Sequence, residues 1–153
     1  MSNDILSVLG IDDVILGCRA ASMEEAIDFV GGRLVARGSV EPEYIAGMQK
    51  RETVVSTFLG NGVALPHGVH ESMDHIINTG IVVAQYPDGV DWGMGAAHLV
   101  VGLAAAGDDH VAVLSQLAEI LMDEELCEQM WATDDPEFIH GHLTAGPEDP
   151  EED

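Results

Sequence analysis

Fixed positive charge is what this chain most lacks. Five lysines and arginines stand against 28 aspartates and glutamates in 153 residues, a formal net charge of −23. All five (Arg19, Arg33, Arg37, Lys50, Arg51) lie in the first 51 residues, and the remaining 102 carry 20 acids and no lysine or arginine. Such a surface repels nucleic acid phosphates and anionic membranes, so neither is expected as a partner. It favours the approach of a basic protein. A proteome adapted to high salt has the same composition, and the two explanations are compatible.

Cysteine is scarce as well. Cys18 and Cys127 make no disulfide framework, and neither belongs to a Cys-x-x-Cys pair or a glycine-rich phosphate loop. No run approaches ~18 consecutive apolar residues, so no membrane-spanning helix is expected. The start, Met-Ser-Asn-Asp-Ile-Leu, lacks the basic and apolar regions of a signal peptide. The cytoplasm is the expected compartment, with both thiols reduced. Gly-x-Ser-x-Gly is missing, which removes support for serine hydrolase chemistry. Gly93-Met-Gly95 is too short for a dinucleotide fingerprint.

What is present reads as one domain with a full core. Residues 13–18 suggest a short strand. Ser22-Met-Glu-Glu25 is a capping box opening a helix that buries Ala26, Ile27, Val30 and Leu34 and stops at Gly38. Pro42 suits the start of a second helix running to about Arg51. Residues 54–59 and 63–65 read as strands, and 80–85 as a central strand followed by a turn at Tyr86-Pro-Asp-Gly89. Residues 98–105 are another buried strand. Asp108 or Asp109 then caps a helix with Val111, Leu114, Leu117, Ala118 and Leu121 on one face. Short helices follow near 124–131 and 135–143. The acidic tail, 144–153, is expected to be disordered. Helices alternate with apolar strands, so the class is α/β, a sheet with helices on its faces.

One segment looks made for chemistry. Gly62-Val-Ala-Leu-Pro-His-Gly68 runs a short strand into His67, with Pro66 limiting the backbone on one side and Gly68 allowing close approach on the other. Imidazole there can act as base, metal ligand or nucleophile. His110 falls at a helix start, where the dipole favours an anion. Arg51 ends the helix preceding the strands to His67 and can hold a phosphate bidentately. Taken singly, each has a plainer reading: a surface histidine, an exposed helix-start histidine, a solvated cation at a helix C-terminus. His67, His70 and His75 match no strong zinc spacing, and no metal or cofactor is expected.

The chain resembles the enzyme IIA component of the bacterial sugar phosphotransferase system, of the mannitol/fructose type. Gly62–Gly68 looks like that family's phosphorylation motif. Further segments match in order, among them Ala21-Ser-Met-Glu-Glu-Ala-Ile27, Val40-Glu-Pro-Glu-Tyr44, Met48-Gln-Lys-Arg-Glu52, Gln85-Tyr-Pro-Asp-Gly-Val90 and His110-Val-Ala-Val-Leu-Ser-Gln-Leu117. The resemblance covers roughly residues 5–143 and is stronger to the mannitol branch. It implies a phosphocarrier domain over residues 1–143, with a mixed, mostly five-stranded sheet flanked by helices on both faces. It implies His67 as the phosphorylated residue, reacting through Nε2 while the other ring nitrogen is tied to a backbone carbonyl or a side chain. His110 and Arg51 are its implied active-site partners.

In that family phosphate comes from the carrier HPr and passes to a cysteine of enzyme IIB, which phosphorylates sugar entering through the membrane component IIC. A site serving two protein partners should be shallow and rimmed by apolar residues. The alternative within the same resemblance is a IIA-like regulator whose phosphorylation state controls other proteins. The pattern departs at Asn61, where the mannitol branch tends to carry glutamate; asparagine keeps a hydrogen-bonding side chain without the charge.

Overall fold

A computed structural model describes residues 9–105 and 108–144, with only the backbone described at His70 and at 108–110. Five strands form one mixed sheet: β1 (Val14–Ile15), β2 (Phe58–Gly60), β3 (Val63–Ala64), β4 (Gly80–Asp91) and β5 (Ala96–Ala104), in the order β1-β4-β5-β3-β2. β1 runs parallel to β4 and β3 parallel to β5, while β4–β5 and β2–β3 are antiparallel. Five helices cover it: α1 (Met23–Ala36), α2 (Glu43–Val54), α3 (Asp108–Ile120), α4 (Glu124–Ala132) and α5 (Pro136–Thr144).

The two-residue period of the central strands divides the core into two layers. Ile81 and Val83 of β4, with Leu99, Val101 and Leu103 of β5, face the side covered by α3, α4 and α5. Val82, Ala84, Val100 and Ala104 face α1 and α2. Gly102 belongs to this second set, and a Cβ on it would lie 2.8 Å from Val30 Cβ, so its lack of a side chain lets α1 pack close.

Helix α1 follows the sequence pattern closely. Ser22 Oγ accepts from Glu25 N at 3.1 Å, while the Glu25 carboxylate reaches back to Ala21 N at 2.9 Å. All four predicted core positions of α1 are fully buried. Its C-terminal end is pinned by Arg37, which pairs with Asp13 at 3.0 Å and donates to Ile81 O at 2.9 Å.

Five local expectations are corrected. The expected strand over 13–18 shrinks to Val14–Ile15 behind a 3-10 turn at Ile11–Asp13. Helix α2 continues past Arg51 to Val54, and β2 starts only at Phe58. The β-branched run Thr53-Val-Val55 favours a strand locally, but here Thr53 and Val54 form the last turn of α2, with Thr53 Oγ1 donating to Lys50 O at 2.7 Å and Val55 N–H donating to Arg51 O. Tyr86–Gly89 is no turn between elements, because β4 extends through it to Asp91. Pairing jumps from Gln85↔Leu99 to Val90↔Ala97, so residues 86–89 bulge opposite the single residue His98. β1 pairs only with Val83 and Ala84, leaving Pro87 on a free edge where no ladder donor is needed. On α3 the inward residues are Val113, Leu117, Ile120 and Leu121, and Val111 is 64% exposed. Thr144 is the last, buried residue of α5 rather than the first of a tail. The expected disorder of 145–153 and the capping by Asp108 or Asp109 lie outside the described residues.

Candidate active site

His67 sits where β3 ends against β5. Its backbone bridges Leu103 in parallel register, and Leu103 N donates to Pro66 O at 3.0 Å. His67 as a residue is 8% exposed. Its Nδ1 lies 2.8 Å from Leu65 O. A carbonyl oxygen only accepts, so Nδ1 carries the proton and the neutral ring bears its lone pair on Nε2. The two-residue reach back to Leu65 is short because Pro66 holds the chain between them at a fixed φ.

Gly68 is required by close approach from within the chain. A Cβ there would collide with Ser72 Oγ and come within 2.7 Å of Tyr44 Cε1. The Gly68 N–H donates to the Tyr44 hydroxyl at 2.9 Å, and that hydroxyl donates to Leu103 O at 3.0 Å. Tyr44, fully buried on α2, thus ties the segment carrying His67 to the end of β5. Burial pushes its hydroxyl pKa up to about 12.

Two open clefts flank the imidazole, and Arg51, His67 and Leu114 line both. Arg51 lies in the last turn of α2 and its Nη1 donates to Val55 O, while Val55 N–H donates to Arg51 O. The plain reading of a cation at a helix C-terminus therefore holds, but the guanidinium also faces the clefts. Arg33 and Arg37 pair with Asp13, and Arg19 with Asp88. Among the described residues Arg51 has no carboxylate partner, which leaves it for an anion. The rims are apolar: Val54 is 67% and Leu59 46% exposed.

His110 lies in the first turn of α3, one turn before Leu114, which lines both clefts, and two before Ala118, which lines one of them. Its side chain lies outside the described residues. Asn61 occupies the β2–β3 hairpin turn with Gly62, at φ 54° and 72°, as Asn-Gly hairpin turns require. Its amide donates to Leu121 O at 3.0 Å, and it lines neither cleft. The considered set His67, His70 and His75 is not assembled among the described side chains. His75 instead accompanies Glu41 and Glu43, with Nδ1 2.8 Å from Glu41 Oε1. That carboxylate raises the imidazole pKa of His75.

The sequence reading passed over Tyr44, Ser72 and Glu52. Tyr44 and Glu52 reach Leu103 and Trp92, 59 and 40 positions away, and Ser72, bonded locally to Val69 O, packs against Gly68 and Gly47; only the quoted segments containing Tyr44 and Glu52 offered any hint.

The chain matches the family described as phosphoenolpyruvate-dependent sugar phosphotransferase system, EIIA 2, over residues 7–145. It belongs to that family, and is thus a phosphotransferase-system component of the EIIA class. Within the class its relatives include mannitol-specific components, and also the multiphosphoryl transfer protein of Escherichia coli O157:H7, 43% identical over 123 residues, covering 80% of this chain and 33% of that protein. The chain is 43% identical over 135 residues to the mannitol-specific EIICBA component of Klebsiella pneumoniae, covering 86% of this chain and 21% of that protein. The chain therefore spans about a fifth of that relative's length. It superposes on the crystal structure of IIA mannitol from Escherichia coli with a TM-score of 0.82 at 40% identity, covering 88% of this chain and 97% of that one. The complex of enzyme IIA mannitol with phosphorylated enzyme IIB mannitol from Escherichia coli gives 0.85 at 38% identity, with 90% and 99% covered. Among the described residues, no helix is long and apolar enough to cross a membrane.

Proposed function

We propose that this chain is a phosphohistidine carrier in which His67 accepts a phosphoryl group from HPr and passes it to a cysteine of enzyme IIB, serving uptake of mannitol or a related sugar. The observation carrying the proposal is the His67 Nδ1 contact to Leu65 O beside Arg51, a cation with no carboxylate partner among the described residues. The Nε2 lone pair attacks phosphorus in line, the N–P bond forms, and the P–N bond to the donor histidine breaks. The Nδ1 proton stays on the ring, hydrogen-bonded to Leu65 O. The phosphorylated ring is then imidazolium-like and a good leaving group for the next transfer.

Phosphoryl transfer needs positioning and charge stabilisation more than covalent help. Arg51 neutralises the equatorial oxygens, and His110, at the start of α3, is the proposed second donor. The open clefts with apolar rims suit docking by a protein, which would complete the site and exclude water. The chain's similarity to a structure solved with phosphorylated enzyme IIB supports that partner.

Incubation with enzyme I, HPr and phosphoenolpyruvate is expected to add one acid-labile phosphate, discharged on adding enzyme IIB. His67→Gln should abolish uptake of the label, and labelling to the same extent would overturn the assignment. His110→Ala is expected to slow transfer without unfolding the protein; unchanged kinetics would remove it from the site.

A further inference from the structure

Arg51 and Glu52 are neighbours on α2 with opposite fates. Arg51 faces the clefts, whereas the Glu52 side chain turns inward and is only 8% exposed. Its oxygens accept from Thr57 N at 2.8 Å, Thr57 Oγ1 at 2.6 Å and Trp92 Nε1 at 2.9 Å. None of these donors is a cation. A buried carboxylate is a costly way to gain stability alone, since an apolar residue of similar volume often serves as well.

What Glu52 fixes is the short segment 55–57, and two hydrogen bonds leave that segment for the site. Val55 O accepts from Arg51 Nη1. Thr57 O accepts from Leu65 N at 3.1 Å, and Leu65 O in turn accepts from His67 Nδ1 at 2.8 Å. One inward carboxylate therefore sits behind the acceptor of the guanidinium and, through Leu65, behind the acceptor of the imidazole.

We propose that Glu52 is a positioning residue for phosphoryl transfer, holding segment 55–57 so that Arg51 and His67 keep a fixed mutual geometry. The proposal rests on the reading of His67 as phosphoryl acceptor. Glu52 touches neither phosphate nor partner. Its loss should lower the rate of the chemical step and leave docking unchanged.

The test measures transfer from phosphorylated HPr to the full chain, resolving kcat and KM, with folding checked by circular dichroism. Glu52→Gln is expected to lower kcat by about tenfold or more, because small misplacements of reacting groups carry penalties of that order, with KM within about twofold. Thr57→Val should lower kcat in the same direction, and Thr57→Ser, which keeps both donors, should restore it. Ile139→Val, in the core of α5 on the opposite side of the sheet from α2, is the control for lost stability and should keep wild-type kcat. Wild-type kcat in folded Glu52→Gln overturns the proposal, as does a fall no larger than that of Ile139→Val. Should Glu52→Gln fail to fold, the Thr57 pair decides, and equal kcat in both overturns it. Failure of the wild-type protein to take phosphate, or undiminished labelling of His67→Gln, would instead overturn the reading of His67.

Discussion

Replacing Tyr44 by phenylalanine deletes a single oxygen from a fully buried ring. That oxygen accepts from Gly68 N at 2.9 Å and donates to Leu103 O at 3.0 Å. Both residues are buried, and they lie at the parallel bridge between His67 and Leu103, so the variant takes from each backbone group the partner it has in the Tyr44 hydroxyl. A stranded buried polar group costs about 1–3 kcal/mol, and the phenol's own desolvation is relieved on its removal. A net loss of about 2–4 kcal/mol follows. For a chain of this size each kcal/mol moves Tm by about 2–4 °C, so a fall of roughly 4–16 °C is expected. Urea unfolding followed by far-ultraviolet circular dichroism should show a lower midpoint at unchanged m. Because Gly68 follows His67 directly, phosphorylation of the folded variant should also slow. A loss below about 0.5 kcal/mol would refute the bridge as a stabilising element, and unchanged transfer as well would separate it from the site.

Alkaline pH should weaken the fold in a defined window. The Tyr44 hydroxyl is raised to about 12 by burial, against an ordinary value of 10, and Tyr86 is raised by burial and by the nearby charges of Cys18 and Glu25. The folded state holds these protons more tightly, so stability is intact below about pH 10 and falls as pH climbs toward 12; both tyrosines titrating freely near pH 10 in folded protein would contradict this. On α3, Val113→Ala should cost about 2 kcal/mol and Val111→Ala less than about 0.5 kcal/mol by urea unfolding; similar losses would refute the register. Ser22→Ala should cost about 1 kcal/mol through the lost cap on α1, and no change in urea midpoint would show the cap to be idle.

Legibility followed range along the chain. The cap at Ser22, the buried stripe of α1 and the apolar runs within β4 and β5 are local patterns of period 3.6 or 2, and all were readable. The motif around His67 was readable too, because Pro66 and Gly68 act on adjacent residues. Where a local signal met a competing tertiary one it misled. Tyr86-Pro-Asp-Gly89 has turn chemistry, yet on the free edge of the sheet it makes a bulge within a longer strand. Val111 is as apolar as Val113, and only the docking of α3 on the sheet chooses between them.

The sequence by itself determined the α/β class, the expectation of a mixed sheet, the family and the candidate trio His67, Arg51 and His110, since these rest on composition, short-range periodicity and ordered motifs. Only the tertiary structure decided which polar groups meet. Glu52 finds Trp92 40 positions away, and Tyr44 finds Leu103 59 positions away. No local propensity encodes such pairs, because they form when α2 is laid on the sheet and buried donors must be matched to whatever acceptors lie opposite. The same packing turned Glu52 inward while its neighbour Arg51 faced the clefts beside His67.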